Sequence, residues 1–157
     1  MTEIELVGID ADDTLWQSET FFAEVEEKFT ELMSKYSSDT SLEESLSSNE
    51  ISNLRVFGYG VKSFTLSMIE TAHLASGGNI ASSDIKQIIS WGKELLQHPV
   101  ILLDGAEEAI RELASNFTVY IVTKGDLLHQ RSKIEDSGLD KLVAGFDIFH
   151  EKDPESY

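Results

Sequence analysis

The feature that most constrains the fold is an apolar run near the N-terminus that ends abruptly in carboxylates. Residues 4–9 are rich in Leu, Val and Ile, and Asp10, Asp12 and Asp13 follow directly. Such a run is typical of a buried parallel strand, and open α/β sheets bind ligands at the carboxyl ends of their strands. The carboxylates are therefore candidates for a nucleophile, a proton carrier and cation ligands. The alternative is an acidic turn that only solvates the end of a strand.

Residues 17–98 carry a helical pattern and no convincing strand. Apolar side chains recur at helical spacing at Phe21, Val25, Phe29, Leu32 and Tyr36. The Ser-rich segment 37–48 predicts a helix break and restart, and Ser41 with Glu44 fits a capping box at the restart. Further helices are predicted over about 50–57, 61–75 and 82–98. We therefore predict an all-helical domain over 17–98, inserted into a core formed by 1–16 and 99–157. The alternative is that these helices pack on the sheet as ordinary α/β layers.

After residue 98 the chain returns to alternating strands and helices. Helices over about 106–114 and 127–136 alternate with apolar β runs at 117–122 and 146–149. Gly138 is placed to end the second helix in the left-handed conformation. Strand–helix–strand alternation with parallel crossovers predicts a Rossmann-like α/β sheet as the core.

The charge balance limits which partners the chain can bind. It has 12 Lys and Arg against 29 Asp and Glu, a net charge of −17, which argues against nucleic acid or an anionic membrane as the main partner. A small phosphorylated substrate is still compatible with this net charge, because a bound cation and a lysine make the electrostatic potential at a site positive. There is no cysteine and no apolar run of transmembrane length, which excludes thiol catalysis and predicts no membrane span. We expect a cytoplasmic protein.

Three segments, each at the end of a β run, carry motifs. The first is residues 10–15, Asp-Ala-Asp-Asp-Thr-Leu. The second is residues 119–126, a β run that ends in Thr and a Gly turn. The third is residues 146–154, a short strand followed by a Lys-x-Pro turn. In this order they resemble the motifs of the haloacid dehalogenase-like hydrolases, and the resemblance covers the whole chain.

The resemblance implies a role for each of five residues. Asp10 would attack a phosphoryl group and form an aspartyl-phosphate, and Asp12 would protonate the leaving oxygen and later activate water. Mg²⁺ would bind the Asp10 carboxylate and the Asp12 backbone carbonyl. Thr123 and the amide of Lys124 would bind the phosphoryl oxygens, and Lys152 would neutralise charge. Because the family's carbon–halogen enzymes lack an Asp at the position of Asp12, the resemblance favours a phosphatase of small phosphorylated metabolites, with a phosphomutase as the next alternative.

The residues taken singly allow plainer interpretations. Thr123 alone is an ordinary strand-end threonine, and Lys152 alone is a surface lysine. Asp126 is expected to cap the helix that follows it, and the four histidines lack ligand spacing. Thr123 and Lys152 gain their predicted roles only from the order in which the three motifs occur.

The resemblance also implies a helical cap over 17–98 and a fourth, acidic motif downstream of the third. No such motif is found before Tyr157, which suggests an incomplete core that is truncated or divergent. The alternative function is therefore a non-catalytic or weakly active fragment or binding protein without the fourth-motif metal ligands. Residues 4–9 would then form an exposed apolar edge, for which we expect self-association.

Overall fold

The computed structural model describes residues 4–37 and 41–151. The elements in chain order are β1 (Leu6–Ile9), α1 (Glu19–Met33), α2 (Leu42–Phe57), α3 (Val61–Ala75), α4 (Ser82–Leu96), α5 (Ala106–Ala114), β2 (Thr118–Lys124), α6 (Leu127–Ser137) and β3 (Gly145–Phe149). A short 3₁₀ helix, Leu139–Lys141, follows α6. The described chain is thus an α/β protein with three strands and six α-helices.

The chain divides into two compact units. One unit runs from Thr20 to His98 and contains α1 to α4. The other contains the described residues up to Glu19 and those from Pro99 onward, with all three strands. The sequence prediction divided the chain after residue 16 and after residue 98, so the first boundary differs by three residues.

The α/β unit is built on a parallel sheet in the order β1-β2-β3. Side chains alternate between the two faces of a strand, and in β2 this places Val119, Ile121 and Thr123 in the interior. The largest side chains buried with them are Trp16, Ile110, Ile134 and Leu139. The predicted Rossmann-like parallel sheet is confirmed.

The helical unit buries one stripe of each helix. In α1 the buried residues are Val25, Phe29 and Met33, four residues apart. The periodicity predicted the first two, and the other predicted positions, Phe21, Leu32 and Tyr36, are partly buried against the same core. They join a core that includes Phe64, Met68, Ile88 and Trp91 from α3 and α4. Apolar residues at this spacing face one side of a helix and drive the packing. Among the described residues, no helix is long and apolar enough to cross a membrane.

The bounds of two elements differ from the prediction. Helix α2 begins at Leu42, directly after the predicted cap Ser41, and runs without a break to Phe57, so the helix expected separately over about 50–57 is its second half. The first strand starts at Leu6 and not at Ile4. The predicted bounds of α5 are confirmed, and α6 ends one residue later than expected, with Gly138 at φ 73° in the predicted left-handed cap.

Candidate functional site

The carboxyl ends of β1 and β2 bring four of the predicted site residues to one edge of the sheet. β1 ends at Ile9, and Asp10 and Asp12 follow it. β2, its parallel partner, ends with Thr123 and Lys124. Neighbouring parallel strands end at the same edge, and this edge is where α/β folds bind ligands.

These residues differ in exposure. Asp10 lies exposed just beyond β1, whereas the side chain of Thr123 is buried inside the end of β2. The Nζ of Lys124 forms an ion pair of 3.4 Å with Glu151 Oε1. Lys152, the fifth predicted site residue, lies outside the described residues.

Three donors surround the carboxylate of Asp12. Its Oδ1 accepts hydrogen bonds from Trp16 Nε1 at 2.8 Å and from Lys133 Nζ at 2.5 Å. Its Oδ2 accepts one from Gln130 Nε2 at 2.6 Å. The side chain of Lys133 is only 13% exposed and that of Asp12 is 29% exposed. The ion pair is therefore largely shielded from water, where charge-assisted hydrogen bonds are stronger than at a surface.

The donors decide the charge state of Asp12. Burial alone would raise its pKa, because a desolvated carboxylate is less stable than the neutral acid. The positive charge of Lys133 opposes this effect, and hydrogen bonds from Lys133, Gln130 and Trp16 add to the opposition, so the pKa of Asp12 lies below its usual value. These donors therefore favour the carboxylate form of Asp12.

The turn after β1 is held by its own hydrogen bonds. Asp13 has a positive φ of 57°, a conformation that Asp tolerates better than most residues. Its Oδ1 accepts hydrogen bonds from the backbone N–H groups of Ser18 at 2.9 Å and Glu19 at 3.1 Å. Its own backbone N–H donates to Trp16 O at 2.8 Å. Asp13 therefore shapes the backbone that carries Asp12.

Helix α6 supplies two of the donors. The side chain of Asp126 caps the helix by accepting a hydrogen bond from His129 N at 3.0 Å, as predicted. Gln130, Lys133 and Ile134 then follow at the three- and four-residue spacing that shares one helix face. Gln130 and Ile134 are buried, so this face points into the α/β unit and delivers its polar groups to Asp12.

Trp16, Gln130 and Lys133 were missed by the sequence analysis. A signal for two of them was present, because Gln130 and Lys133 lie on the same helix face as the apolar Ile134. A polar residue on a buried face needs a hydrogen-bonding partner. The sequence did not say which of the chain's 29 acidic residues was that partner.

Hard oxygen ligands are available for a cation at this edge. A carboxylate at Asp10 and the backbone carbonyl of Asp12 are the donor types that Mg²⁺ prefers, and Mg²⁺ sites commonly use one or two carboxylates with waters completing the shell. The Asp12 side chain is less suited, because its oxygens already accept from three donors. Within residues 4–37 and 41–151, no three His, Asp or Glu side chains are grouped closely enough to hold a metal.

The fold and this edge define the class of protein: a Rossmann-like α/β protein with aspartates just beyond its first strand and a helical insertion. The chain belongs to the haloacid dehalogenase-like hydrolases, whose family model matches residues 4–156. Among curated proteins, none matches the chain.

Solved structures agree with this assignment. A haloacid dehalogenase-like family hydrolase from Xanthomonas campestris is 44% identical, with a TM-score of 0.92 over 98% of this chain and 65% of its own. A putative hydrolase of this family, YfnB from Bacillus subtilis, solved with bound magnesium, is 20% identical with a TM-score of 0.61, covering 94% of this chain and 66% of its own.

The matched structures include proteins described by different chemistries. A predicted phosphoglycolate phosphatase from Haemophilus somnus is 17% identical with a TM-score of 0.55, covering 98% of this chain and 66% of its own. 2-Haloacid dehalogenases also match. These structures are 14–17% identical to the chain, so their similarity establishes the fold and not the reaction. The chain spans between 56% and 66% of the length of the structures named here.

Proposed function

We propose that the protein is a Mg²⁺-dependent phosphatase of small phosphorylated metabolites, and that its helical unit, Thr20–His98, is the cap that selects the substrate. The observation that carries the proposal is the carboxyl side chain of Asp12, two residues after Asp10 at the carboxyl edge of the sheet. Phosphate ester hydrolysis needs a group that protonates the leaving oxygen. Displacement of a halide needs no such proton donor, because the halide leaves as a stable anion.

The proposed reaction has two steps. In the first, Asp12 takes up a proton as the substrate binds, an Asp10 oxygen attacks phosphorus, the bond from phosphorus to the ester oxygen breaks, and Asp12 gives its proton to the departing alcohol. In the second, Asp12 takes a proton from water as the water attacks phosphorus, and the bond from phosphorus to Asp10 breaks. Phosphate leaves, Asp12 releases the proton to solvent or keeps it for the next turnover, and Asp10 is again a free carboxylate.

Other residues in the proposal handle charge and orientation. The Thr123 hydroxyl and the Lys124 N–H would donate to the non-bridging phosphoryl oxygens, and Lys152 would neutralise the charge shared by Asp10 and phosphate. Mg²⁺, when bound at the Asp10 carboxylate and the Asp12 carbonyl, supplies further neutralisation, which phosphoryl transfer requires. The magnesium bound to the B. subtilis structure supports this choice of cation.

A second candidate is a binding protein or weakly active hydrolase that keeps the phosphate site without a working metal site. It is favoured by the absence of a third metal-ligating side chain near Asp10 and Asp12 within the described part of the chain. Fewer charged ligands weaken cation binding, so this candidate predicts little dependence of any activity on Mg²⁺.

The test is hydrolysis of an aryl phosphate by the purified protein with and without Mg²⁺, compared with Asp10→Asn. Metal-dependent release of phosphate that Asp10→Asn abolishes supports the phosphatase. Halide release from a 2-haloacid, measured in parallel, would instead support a dehalogenase. A folded protein with neither activity contradicts the proposal and supports the binding protein.

A further inference from the structure

We propose that Lys133 and Gln130 are positioning residues that hold the Asp12 carboxylate in one orientation for the reaction. The catalytic consequence rests on the proposed phosphatase function, whereas the positioning itself can be tested without activity. The proposal is drawn from the three donors on Asp12, from the burial of the side chains that supply them, and from their place on one face of α6.

The donors fill most of the acceptor positions of Asp12. A carboxylate offers roughly four lone-pair positions, two on each oxygen. Trp16 Nε1 and Lys133 Nζ occupy Oδ1, and Gln130 Nε2 occupies one position on Oδ2. The remaining acceptor position is on Oδ2. The carboxylate cannot rotate without breaking these bonds, so Oδ2 is the oxygen left to meet a substrate.

Gln130 ties Asp12 to the end of β2. Its Nε2 donates both to Asp12 Oδ2 and to the backbone carbonyl of Lys124, the last residue of the strand, at 2.9 Å. Its Oε1 is buried and has no partner within the described residues. A flipped amide would place Oε1 against the Asp12 carboxylate, so both Nε2 contacts favour the amide orientation described.

Gly125 makes room for this amide. It has a φ of 138°, and a Cβ built there would lie 3.0 Å from Gln130 Nε2 and 3.3 Å from its Cγ. The glycine therefore allows the backbone beyond β2 to approach the Gln130 side chain closely. The buried Gln130 side chain thus links Asp12, which follows β1, to Lys124 at the end of β2.

Lys133 is held on two sides. Its Nζ contacts Asp12 and lies 5.9 Å from the centre of the Trp16 ring, and Trp16 is completely buried. A largely buried ion pair is weak support for stability, because desolvation offsets most of the attraction. Its better-supported use is to fix geometry, and here the group whose geometry it fixes is Asp12.

The first test compares Lys133→Met with Lys141→Met, the same change at an exposed lysine of the same unit. With an aryl phosphate and Mg²⁺, we expect Lys133→Met to lower kcat about 10- to 100-fold with KM changed by less than about 3-fold. Lys133→Arg, which keeps the charge, should recover part of kcat. Lys141→Met should equal the wild type. Wild-type kcat in Lys133→Met overturns the proposal.

The second test uses the side-chain amide resonances of Gln130 in ¹H–¹⁵N spectra. They should move in Asp12→Asn and in Lys133→Met and stay in place in Lys141→Met. Unmoved resonances in Lys133→Met overturn the positioning whether or not the enzyme is active. A wild type without phosphatase activity contradicts the proposed function alone, and the resonances still decide the positioning.

A third variant covers the case in which Lys133→Met does not fold. Gln130→Met removes the Oδ2 donor and keeps an unbranched side chain of similar length. Loss of kcat with an unchanged KM in this variant supports the proposal, and a wild-type kcat overturns it.

Discussion

Asp10 and Asp12 are two residues apart and have different surroundings. Asp10 is exposed at the end of β1, and Asp12 receives three hydrogen bonds in a half-buried position. The difference follows from the turn, which directs Asp12 toward α6. A nucleophile must reach the substrate, whereas a proton carrier must also be held in place. The two environments fit the two proposed roles.

The ion pair of Asp12 predicts an asymmetry in stability. Asp12→Asn leaves the ammonium of Lys133 largely buried without its counter-charge, and we expect a loss of about 1–3 kcal/mol in the free energy of unfolding. The double variant Asp12→Asn/Lys133→Met should recover part of this loss. Asp10→Asn, at an exposed carboxylate, should stay within about 0.5 kcal/mol of the wild type. Urea unfolding measures all three, and equal losses for the two Asn variants would contradict the prediction.

Glu50 on α2 predicts a pH-dependent effect in the helical unit. It lines a cleft of about 750 Å³ that Glu26 of α1 also lines. Burial raises the pKa of Glu50 above its usual value, and the charge of Glu26 raises it further. A carboxyl whose pKa is raised by folding stabilises the fold most when it is protonated, below its unfolded pKa, and this contribution is lost as the pH rises through the folded pKa.

Glu50→Gln should therefore raise Tm at pH 7, by on the order of 1–3 °C because Glu50 is only partly buried. The gain should vanish near pH 4, where the carboxyl of the wild type is protonated. Glu44→Gln, an exposed site on the same helix, is the control. Thermal unfolding at both pH values measures the effect, and a gain that persists at pH 4 would argue against it.

Helix α6 connects the local sequence to the site. Its N-cap, Asp126, satisfies a backbone N–H at the start of the helix, and Gln130 and Lys133 follow within two turns. Asp126→Ala should cost about 1 kcal/mol of stability, the usual loss for an N-cap. It should also lower kcat, by less than Lys133→Met does, because the first turn then frays. Asp126→Asn keeps a capping oxygen and should match the wild type in chemical denaturation and in kcat. Equal losses in both variants would disprove capping as the cause.

At the scale of elements, the sequence predicted what local pattern controls. The bounds of α5 and the cap at Gly138 follow from periodicity and backbone conformation, and they were correct. The stripe of α1 was predicted in part, since Val25 and Phe29 are buried but Met33 was not expected. The helix over 42–57 was predicted in two pieces, because serines favour helix interruption in isolation. Packing of Leu42 and Leu46 into the helical core stabilises the first half of this helix, and tertiary packing outweighs propensity.

The predicted site was anchored at Asp10, Asp12 and Thr123 because each follows or ends a β run. The donors to Asp12 could not be predicted in the same way. Lys133 is 121 positions from Asp12 in sequence and Gln130 is 118. Which helix side chain meets which carboxylate depends on how α6 packs on the sheet. Periodicity identifies the buried face of a helix, but it does not identify the residue on the other side.

For the whole molecule, two opposing effects bear on self-association. β1 pairs with β2 on one side, and within the described residues no strand pairs with its other side. Leu6, its first residue, is 61% exposed, and Ile4 just before it is 68% exposed. Unpaired apolar edges favour association with another chain. A net charge of −17 repels a second copy, but this repulsion is screened beyond about 8 Å at physiological ionic strength.

We therefore expect concentration-dependent self-association through β1 that strengthens as salt is added. Leu6→Lys should weaken it, because a lysine on an edge strand opposes strand pairing. Leu74→Lys changes a leucine of α3 that is 64% exposed and gives the protein the same net charge as Leu6→Lys. Comparing the two variants therefore separates the effect of a lysine on the edge strand from the effect of the added charge. Light scattering after size-exclusion chromatography, at low and at physiological salt, gives the mass of each variant. A wild type that stays monomeric at high protein concentration in both buffers would rule out the edge as an interface. Equal effects of the two lysines would show that charge alone controls association.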